Sequence, residues 1–259
     1  MTSTPDNATW PYPRWIAHRG AGKLAPENTL AAFRTGAAHG YRMFECDVKL
    51  SADGVPFLLH DDTLTRTTNA TEVLANGASA VAGDHPWHSL SQLDAGSWQS
   101  RAFVGETIPT FEAVARYCRH NGFDLDIEIK PSPGADYHTG QVVAQHAARL
   151  WQGASVPPFL TSFEVPALEG ALQAQPELPR GLLLDKLWDG WLETALRLGC
   201  VAIVCDHLLW DKVSVAQAKN AGLRTMSYTV NEPVDVKKLL DLDTDCIITD
   251  RVDLFSPAC

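Results

Sequence analysis

Short runs of branched and aromatic apolar residues recur along the chain: WIAH (15–18), MFECDV (43–48), LDIEIK (125–130), PFLTSF (158–163), RGLLLD (180–185), VAIVCD (201–206), RTMSYTV (224–230) and CIITD (246–250). Each is too short for an ordinary globular helix and rich in residues that suit a pleated sheet, so each predicts a buried strand. Between them lie helical patterns with clear punctuation. Asn28 is the predicted cap of NTLAAFRTGAAHG, which stops at Gly40. Thr110 precedes FEAVARYCRHNG, which stops at Gly122, and VSVAQAKNAG stops at Gly222. Strands alternating with helices in this way predict an α/β fold with a parallel sheet. Eight strands in 259 residues match a closed (β/α)8 TIM barrel better than a doubly wound sheet, which commonly uses fewer. The expectation is one domain over residues 1–259. Residues 61 to about 107 break the rhythm with segments such as TRTTNATEVLANGASA, and predict an insertion after the second strand region.

Composition narrows the function classes. With 45% hydrophobic and 20% charged residues the chain has an ordinary globular make-up, and its net charge of -10 argues against nucleic acid as a partner. An anionic substrate would need a local positive site. The six cysteines are scattered without a CxxC pair, which predicts reduced thiols and a cytoplasmic setting over a disulfide scaffold or a zinc knuckle. The opening MTSTPDNATWPYPRW lacks the basic and apolar halves of a secretory signal, and no run of about 18 apolar residues predicts a membrane span.

In such a barrel the chemistry sits at the C-terminal ends of the strands, so polar residues there carry the most information. The first strand ends in His18 and Arg19, the second carries Glu45 and Asp47, and the third carries Asp126, Glu128 and Lys130. Period-two spacing puts Glu45 and Asp47 on one face, and Glu128 and Lys130 on one face of the next strand. Any one acid could belong to a rim ion pair, but together they predict converging carboxylates. Oxygen ligands without thiolate or imidazole partners suit a hard cation, Mg2+ or Ca2+, with Mn2+ as a further candidate. ECDVKLSADGVPFLLH reads as two extended arms around Ser51-Ala52-Asp53-Gly54. Pairing Leu50 with Val55 would set Glu45 opposite His60. His18 and His60 then form a candidate acid and base pair near the cation. The other histidines, including His85 and His88 of DHPWH, read as polar surface residues.

These stretches form a pattern: HRG (18–20), PENT (26–29), ExD (45–47), HDxxLxRTT (60–68), IPTFEAV (108–114), EIKP (128–131), YTVN (228–231) and IITDRVD (247–253). Together they resemble the glycerophosphodiester phosphodiesterase family along nearly the whole chain. The resemblance implies a metal-dependent (β/α)8 barrel that splits glycerophosphodiesters into sn-glycerol 3-phosphate and an alcohol. It implies Glu45, Asp47 and Glu128 as metal ligands, His18 and His60 as general acid and base, and Arg19 and Lys130 as phosphate contacts. It further implies substrate contacts by Glu27 and Asn28, both of which also suit a helix start, and by Tyr228, which stands where the family commonly has Trp. Trp87 and Trp98 in the insertion are candidates to cover the substrate, but the favoured expectation for both is a small satellite core. Two other functions compete: a lysophospholipase D or sphingomyelinase D-like phosphodiesterase on the same barrel, and a noncatalytic metal- or ligand-binding barrel.

Overall fold

All eight branched apolar runs become strands of one sheet. The computed structural model describes residues 10–75 and 77–257. Its strands are β1 (Trp15–Ala17), β2 (Met43–Leu50), β3 (Pro56–Leu58), β4 (Asp124–Ile129), β5 (Phe159–Ser162), β6 (Arg180–Leu184), β7 (Ala202–Asp206), β8 (Arg224–Tyr228) and β9 (Cys246–Thr249). β3 turns back antiparallel to β2, while the other eight run parallel in the order β1-β2-β4-β5-β6-β7-β8-β9, and β1 pairs with both β2 and β9. The ring is therefore closed, as a TIM barrel.

Helices α1 (Leu30–Ala38), α4 (Phe111–Asn121), α5 (Asp136–Leu150), α6 (Val165–Ala174), α7 (Trp191–Arg197), α8 (Lys212–Asn220) and α9 (Pro233–Asp241) connect the barrel strands, and α2 (Ala70–Val73) and α3 (Trp87–Leu90) lie in the insertion. β2 shows how the alternation is used. Phe44, Cys46 and Val48 point outward into the core shared with the helices. Met43 points inward with Ile16, Phe159, Leu183, Met226 and Ile248, filling the lower barrel as the fold requires. Glu45 and Asp47 continue that inward face towards the C-terminal mouth, so the barrel interior is apolar below and acidic above.

Three local expectations need correction. Thr29, not Asn28, caps α1: its Oγ1 accepts from the backbone N–H of Ala32, and Asn28 sits just outside at φ 59. The β2–β3 register is shifted by one, with Val48 opposite Leu58 and Leu50 opposite Pro56. Pro56, which offers no N–H to the ladder, takes the first position of β3. In an ideal strand that shift would turn His60 outward. The strand instead ends at Leu58, and the free turn at His60 restores the imidazole to the site. Trp87 does join the insertion's own core with Phe57, Leu64, Leu90 and Ile108, but Trp98 is 40% exposed.

Residues 1–9, on which part of the leader expectation rests, and Cys259 lie outside the described residues. The five described cysteines are free and buried. Among the described residues no helix is long and apolar enough to cross a membrane.

The loop carrying His18 and Arg19 lies directly on α1 because Gly36 has no side chain: a Cβ there would stand 2.1 Å from the Gly20 carbonyl oxygen. We expect Gly36→Ala to cost about 1–3 kcal/mol of stability through overpacking, measured by urea unfolding. An unchanged midpoint would show that the loop is not seated on the helix in this way.

Candidate active site

The chain leaves β1 at Ala17 and turns at once, with Arg19 at φ 49 and Gly20 at φ 98. A left-handed arginine is uncommon, and two buried contacts hold it. The backbone N–H of Arg19 donates to Glu45 Oε2 at 2.9 Å, and its carbonyl accepts from Asn28 N at 3.0 Å. The turn therefore delivers His18, Arg19 and Asn28 to the ends of β2 and β4.

Glu45, Asp47 and Glu128 converge as the alternation predicted, each buried and each offering a carboxylate oxygen within 4.8 Å of the others. Asn28 spans to the middle member: its Nδ2 donates to Asp47 Oδ2 at 2.7 Å, and its Oδ1 accepts from Asp47 N at 3.1 Å. Both ends of the amide are thus engaged by Asp47, which explains why Asn28 does not cap the helix. Arg19 Nε lies 3.3 Å from Asp47 Oδ2. Lys130 Nζ donates to Glu128 Oε1 at 2.8 Å and stands 3.9 Å from Asp47 Oδ1. Despite these partners, Glu45 Oε1 and Asp47 Oδ1 are buried and accept no hydrogen bond.

The charges are unevenly tolerated. Burial, together with the Asp47 and Glu128 charges, drives the Glu45 carboxyl well above its ordinary range, and burial and Asp47 raise Glu128. Burial also opposes ionisation of Asp47, but Arg19, His60, Lys130 and the Asn28 hydrogen bond outweigh it and hold Asp47 low. Three oxygen donors, two of them with unpartnered buried atoms, fit a hard divalent cation.

Each histidine has a carboxylate behind it. His18 Nδ1 lies 2.7 Å from Asp250 Oδ1, and Asn231 holds Asp250 by donating from Nδ2 to Oδ2 at 3.0 Å and accepting from Asp250 N at 2.9 Å. His60 Nδ1 lies 2.7 Å from Asp61 Oδ1. Arg66 grips Asp61 with two bonds at 2.6 and 2.8 Å and Glu27 with two more at 2.8 and 2.7 Å. Glu27 in turn accepts from Arg19 Nη1 at 2.8 Å. An unbroken chain of charge-assisted bonds therefore runs from His60 to Arg19. With Nδ1 committed in both rings, Nε2 is the atom left for chemistry.

The sequence reading missed Asp61, Arg66, Asn231 and Asp250 as members of the site. Asp250 ends the run CIITD, so the test that picked out His18 would have found it. Asp61 directly follows His60, whereas Arg66 and Asn231 carry no signal apart from the motifs around them. The reading also missed Lys49, which is fully buried on the Glu45–Asp47 face and donates to Asp62 Oδ1 at 2.8 Å.

His18, Arg19, Glu45, His60, Glu128 and Lys130 line a cavity of about 160 Å³ whose remaining wall includes Asp126, Thr161, Phe163, Leu183, Tyr228 and Ile248. Tyr228 stands edge-on to Phe163 at 5.7 Å and donates its hydroxyl to the Leu184 carbonyl at 2.9 Å, which pins the ring. Lys130 Nζ lies 5.5 Å from the Phe163 ring centre. The site thus presents two imidazoles, two cationic side chains and an oxygen cluster around one small partly apolar chamber.

Comparison with known proteins agrees with this architecture. The chain is 32% identical over 246 residues to YhdW of Bacillus subtilis (strain 168), covering 92% of this chain and 94% of that one. It is 28% identical over 255 residues to the glycerophosphodiester phosphodiesterase of the same organism, covering 93% and 84%. A phosphodiesterase of Oleispira antarctica, solved in complex with the product sn-glycerol-3-phosphate, superposes with a TM-score of 0.82 at 31% identity, over 92% of this chain and 93% of that one. The sequence model of the Glycerophosphoryl diester phosphodiesterase family matches residues 18–254, from the first site histidine to just beyond Asp250, and the chain belongs to that family.

Proposed function

We propose that this chain hydrolyses glycerophosphodiesters to sn-glycerol 3-phosphate and an alcohol. We assign the work to one catalytic domain over residues 1–259, with residues 61–107 as its insertion. The observation that carries the reading is the convergence of three buried carboxylates with two carboxylate-backed imidazoles on one small chamber. The Oleispira neighbour with sn-glycerol-3-phosphate supports it, and the free cysteines support a reducing, cytoplasmic setting.

Glu45, Asp47 and Glu128 would hold one divalent cation, Mg2+, Ca2+ or Mn2+. When bound, such an ion supplies Lewis-acid neutralisation of the negative charge that grows on the phosphate oxygens. Arg19 and Lys130 act on the same charge from the protein side, and their effect is larger in the transition state, where more charge resides on those oxygens. Glu27 and Asn28 contribute by fixing Arg19 and Asp47. Tyr228 and Phe163 wall the chamber for the glycerol carbons.

Proton transfer falls to the histidines. One Nε2 accepts the proton of the attacking hydroxyl, the glycerol 2-OH, as its oxygen bonds to phosphorus. The other Nε2 delivers a proton to the departing alcohol oxygen as the second P–O bond breaks. A water then opens the cyclic phosphate with the two roles exchanged, which returns both rings to their starting states. Asp250 and Asp61 keep the Nδ1 proton in place and stabilise each imidazolium when it forms.

Three outcomes are expected. In a coupled assay for glycerol 3-phosphate, wild-type protein with Mg2+ or Ca2+ is active on glycerophosphocholine and loses that activity on chelation. His18→Ala and Glu45→Ala each fall by roughly 10²–10⁴-fold, and excess metal does not rescue His18→Ala. Retained activity in His18→Ala would remove it from the mechanism. For the cation-free protein, NMR titration should place the His60 pKa below the ordinary value of about 6.5: burial lowers it, Arg19 and Lys130 lower it further, and Asp47 and the Asp61 hydrogen bond only partly oppose them. Asp47→Asn deletes the larger of the two influences that raise it, the Asp61 hydrogen bond being the other, so the His60 pKa should drop further. A rise would contradict the charge arrangement.

A further inference from the structure

A phosphodiester has two arms, and the chamber described above receives one. On the other side of His18 and Arg19 lies a second depression of about 270 Å³, lined by those two residues together with Lys23, Glu27, Trp98, Gln99 and Asp250. The two cavities share His18 and Arg19, so a phosphate held there extends one substituent into each. The inner chamber is built from barrel strands. The outer one is walled by the loop after β1 and by the insertion.

Trp98 is the large apolar feature of that outer wall. Its ring is exposed at 40% and yet held, because Nε1 donates to the Ala95 carbonyl at 2.9 Å. The loop that presents it is closely organised. Asp94 accepts backbone N–H groups from Gly96, Ser97 and Gly105 at 2.9, 2.7 and 2.7 Å, and a Cβ on Gly96 would stand 2.0 Å from the Phe103 carbonyl oxygen. Gln99 ties the insertion to the first loop by donating from Nε2 to the Lys23 carbonyl at 3.0 Å. An exposed indole held this firmly does not serve the insertion's own core, which lies elsewhere.

The charges around Trp98 define what it would bind. Both Glu27 oxygens are taken by Arg19 and Arg66, and both Asp250 oxygens by His18 and Asn231. Lys23 lines the same depression, and its charge helps to hold Asp250 ionised. Glu27 and Asp250 are thus matched in the same lining by Arg19 and Lys23, with Arg66 also on Glu27, so the depression has no net negative charge to attract a quaternary ammonium, and a single ring is a poor cage for one. An indole face beside hydrogen-bonding groups instead suits the C–H face of an uncharged polyol, with its hydroxyls turned towards Gln99 and Lys23.

We propose that this depression is the subsite for the leaving alcohol, that Trp98 is its specificity-determining residue, and that it favours uncharged polyol head groups over choline. The inference rests on the phosphodiesterase reading for the placement of the phosphate. It is tested by steady-state hydrolysis of glycerophosphoinositol, glycerophosphocholine and glycerophosphomethanol, the last having no head group to stack. Trp98→Ala should lower kcat/KM on glycerophosphoinositol by about 3- to 10-fold and on glycerophosphomethanol by less than about 2-fold, while Trp98→Phe retains most of the preference. An equal loss on all three substrates, no loss, or a larger loss on glycerophosphocholine than on glycerophosphoinositol would overturn the proposal. Calorimetry in a His60→Ala background separates the two readings. There Trp98→Ala should weaken glycerophosphoinositol but leave sn-glycerol 3-phosphate unchanged. If wild type hydrolyses nothing and this binding difference persists, the subsite stands and the phosphodiesterase reading falls. If hydrolysis proceeds and the difference is absent, the reverse holds.

Discussion

Mutual repulsion among Glu45, Asp47 and Glu128 is the constraint around which the rest of this molecule is arranged. Three carboxylates cannot share a buried site as bare anions without strong compensation. The protein supplies part of it through Arg19, Lys130 and Asn28, each of which reaches Asp47 or its neighbours directly. Two buried oxygens still accept nothing. The remaining deficit is of the kind that the proposed cation would fill, and the positive field that holds the acids is the one the proposed reaction would use on its phosphate.

The barrel makes this crowding possible. β1, β2 and β4 are consecutive staves, so residues at their C-terminal ends meet without any long loop having to place them. Rigid strands carry the acids, and short turns carry the imidazoles. Each imidazole is then oriented by a carboxylate: His18 by the distant Asp250, which follows β9, and His60 by its own neighbour Asp61 on the turn after β3. The closing of the ring between β1 and β9 is thus what brings Asp250 to His18. The division extends to the substrate. The chamber assigned to glycerol is strand-built, whereas the outer depression is loop-built, which matches the general use of variable loops on a fixed scaffold.

Much of this was legible in the residues. Period-two alternation identifies the shared face of Glu45 and Asp47 because β2 is a regular strand, and charged residues at the ends of apolar runs stand out against their surroundings. What failed were inferences that required knowledge of local competition. Asn28 looks like a cap, but Asp47 captures both ends of its amide and Thr29 takes the role. The hairpin register slips by one because a proline occupies the first paired position of β3, a choice that turn composition does not reveal. Arg66 stands in the HDxxLxRTT stretch without showing its role there, because that role is to bridge Asp61 to Glu27, the latter 39 residues from Arg66, and no local pattern encodes such a bridge. For Trp98 a satellite core is favoured over substrate cover on residue type, whereas its exposure depends on the path of the loop that Asp94 organises.

The central claim is that Glu45, Asp47 and Glu128 make one cation site. Electron paramagnetic resonance of Mn2+ titrated into the purified protein measures it most directly. One ion should bind per chain, Mg2+ or Ca2+ should displace it, and saturable binding should vanish in Asp47→Asn and weaken in Glu128→Gln. Absence of saturable binding to wild type, or undiminished binding in Asp47→Asn, would contradict the account.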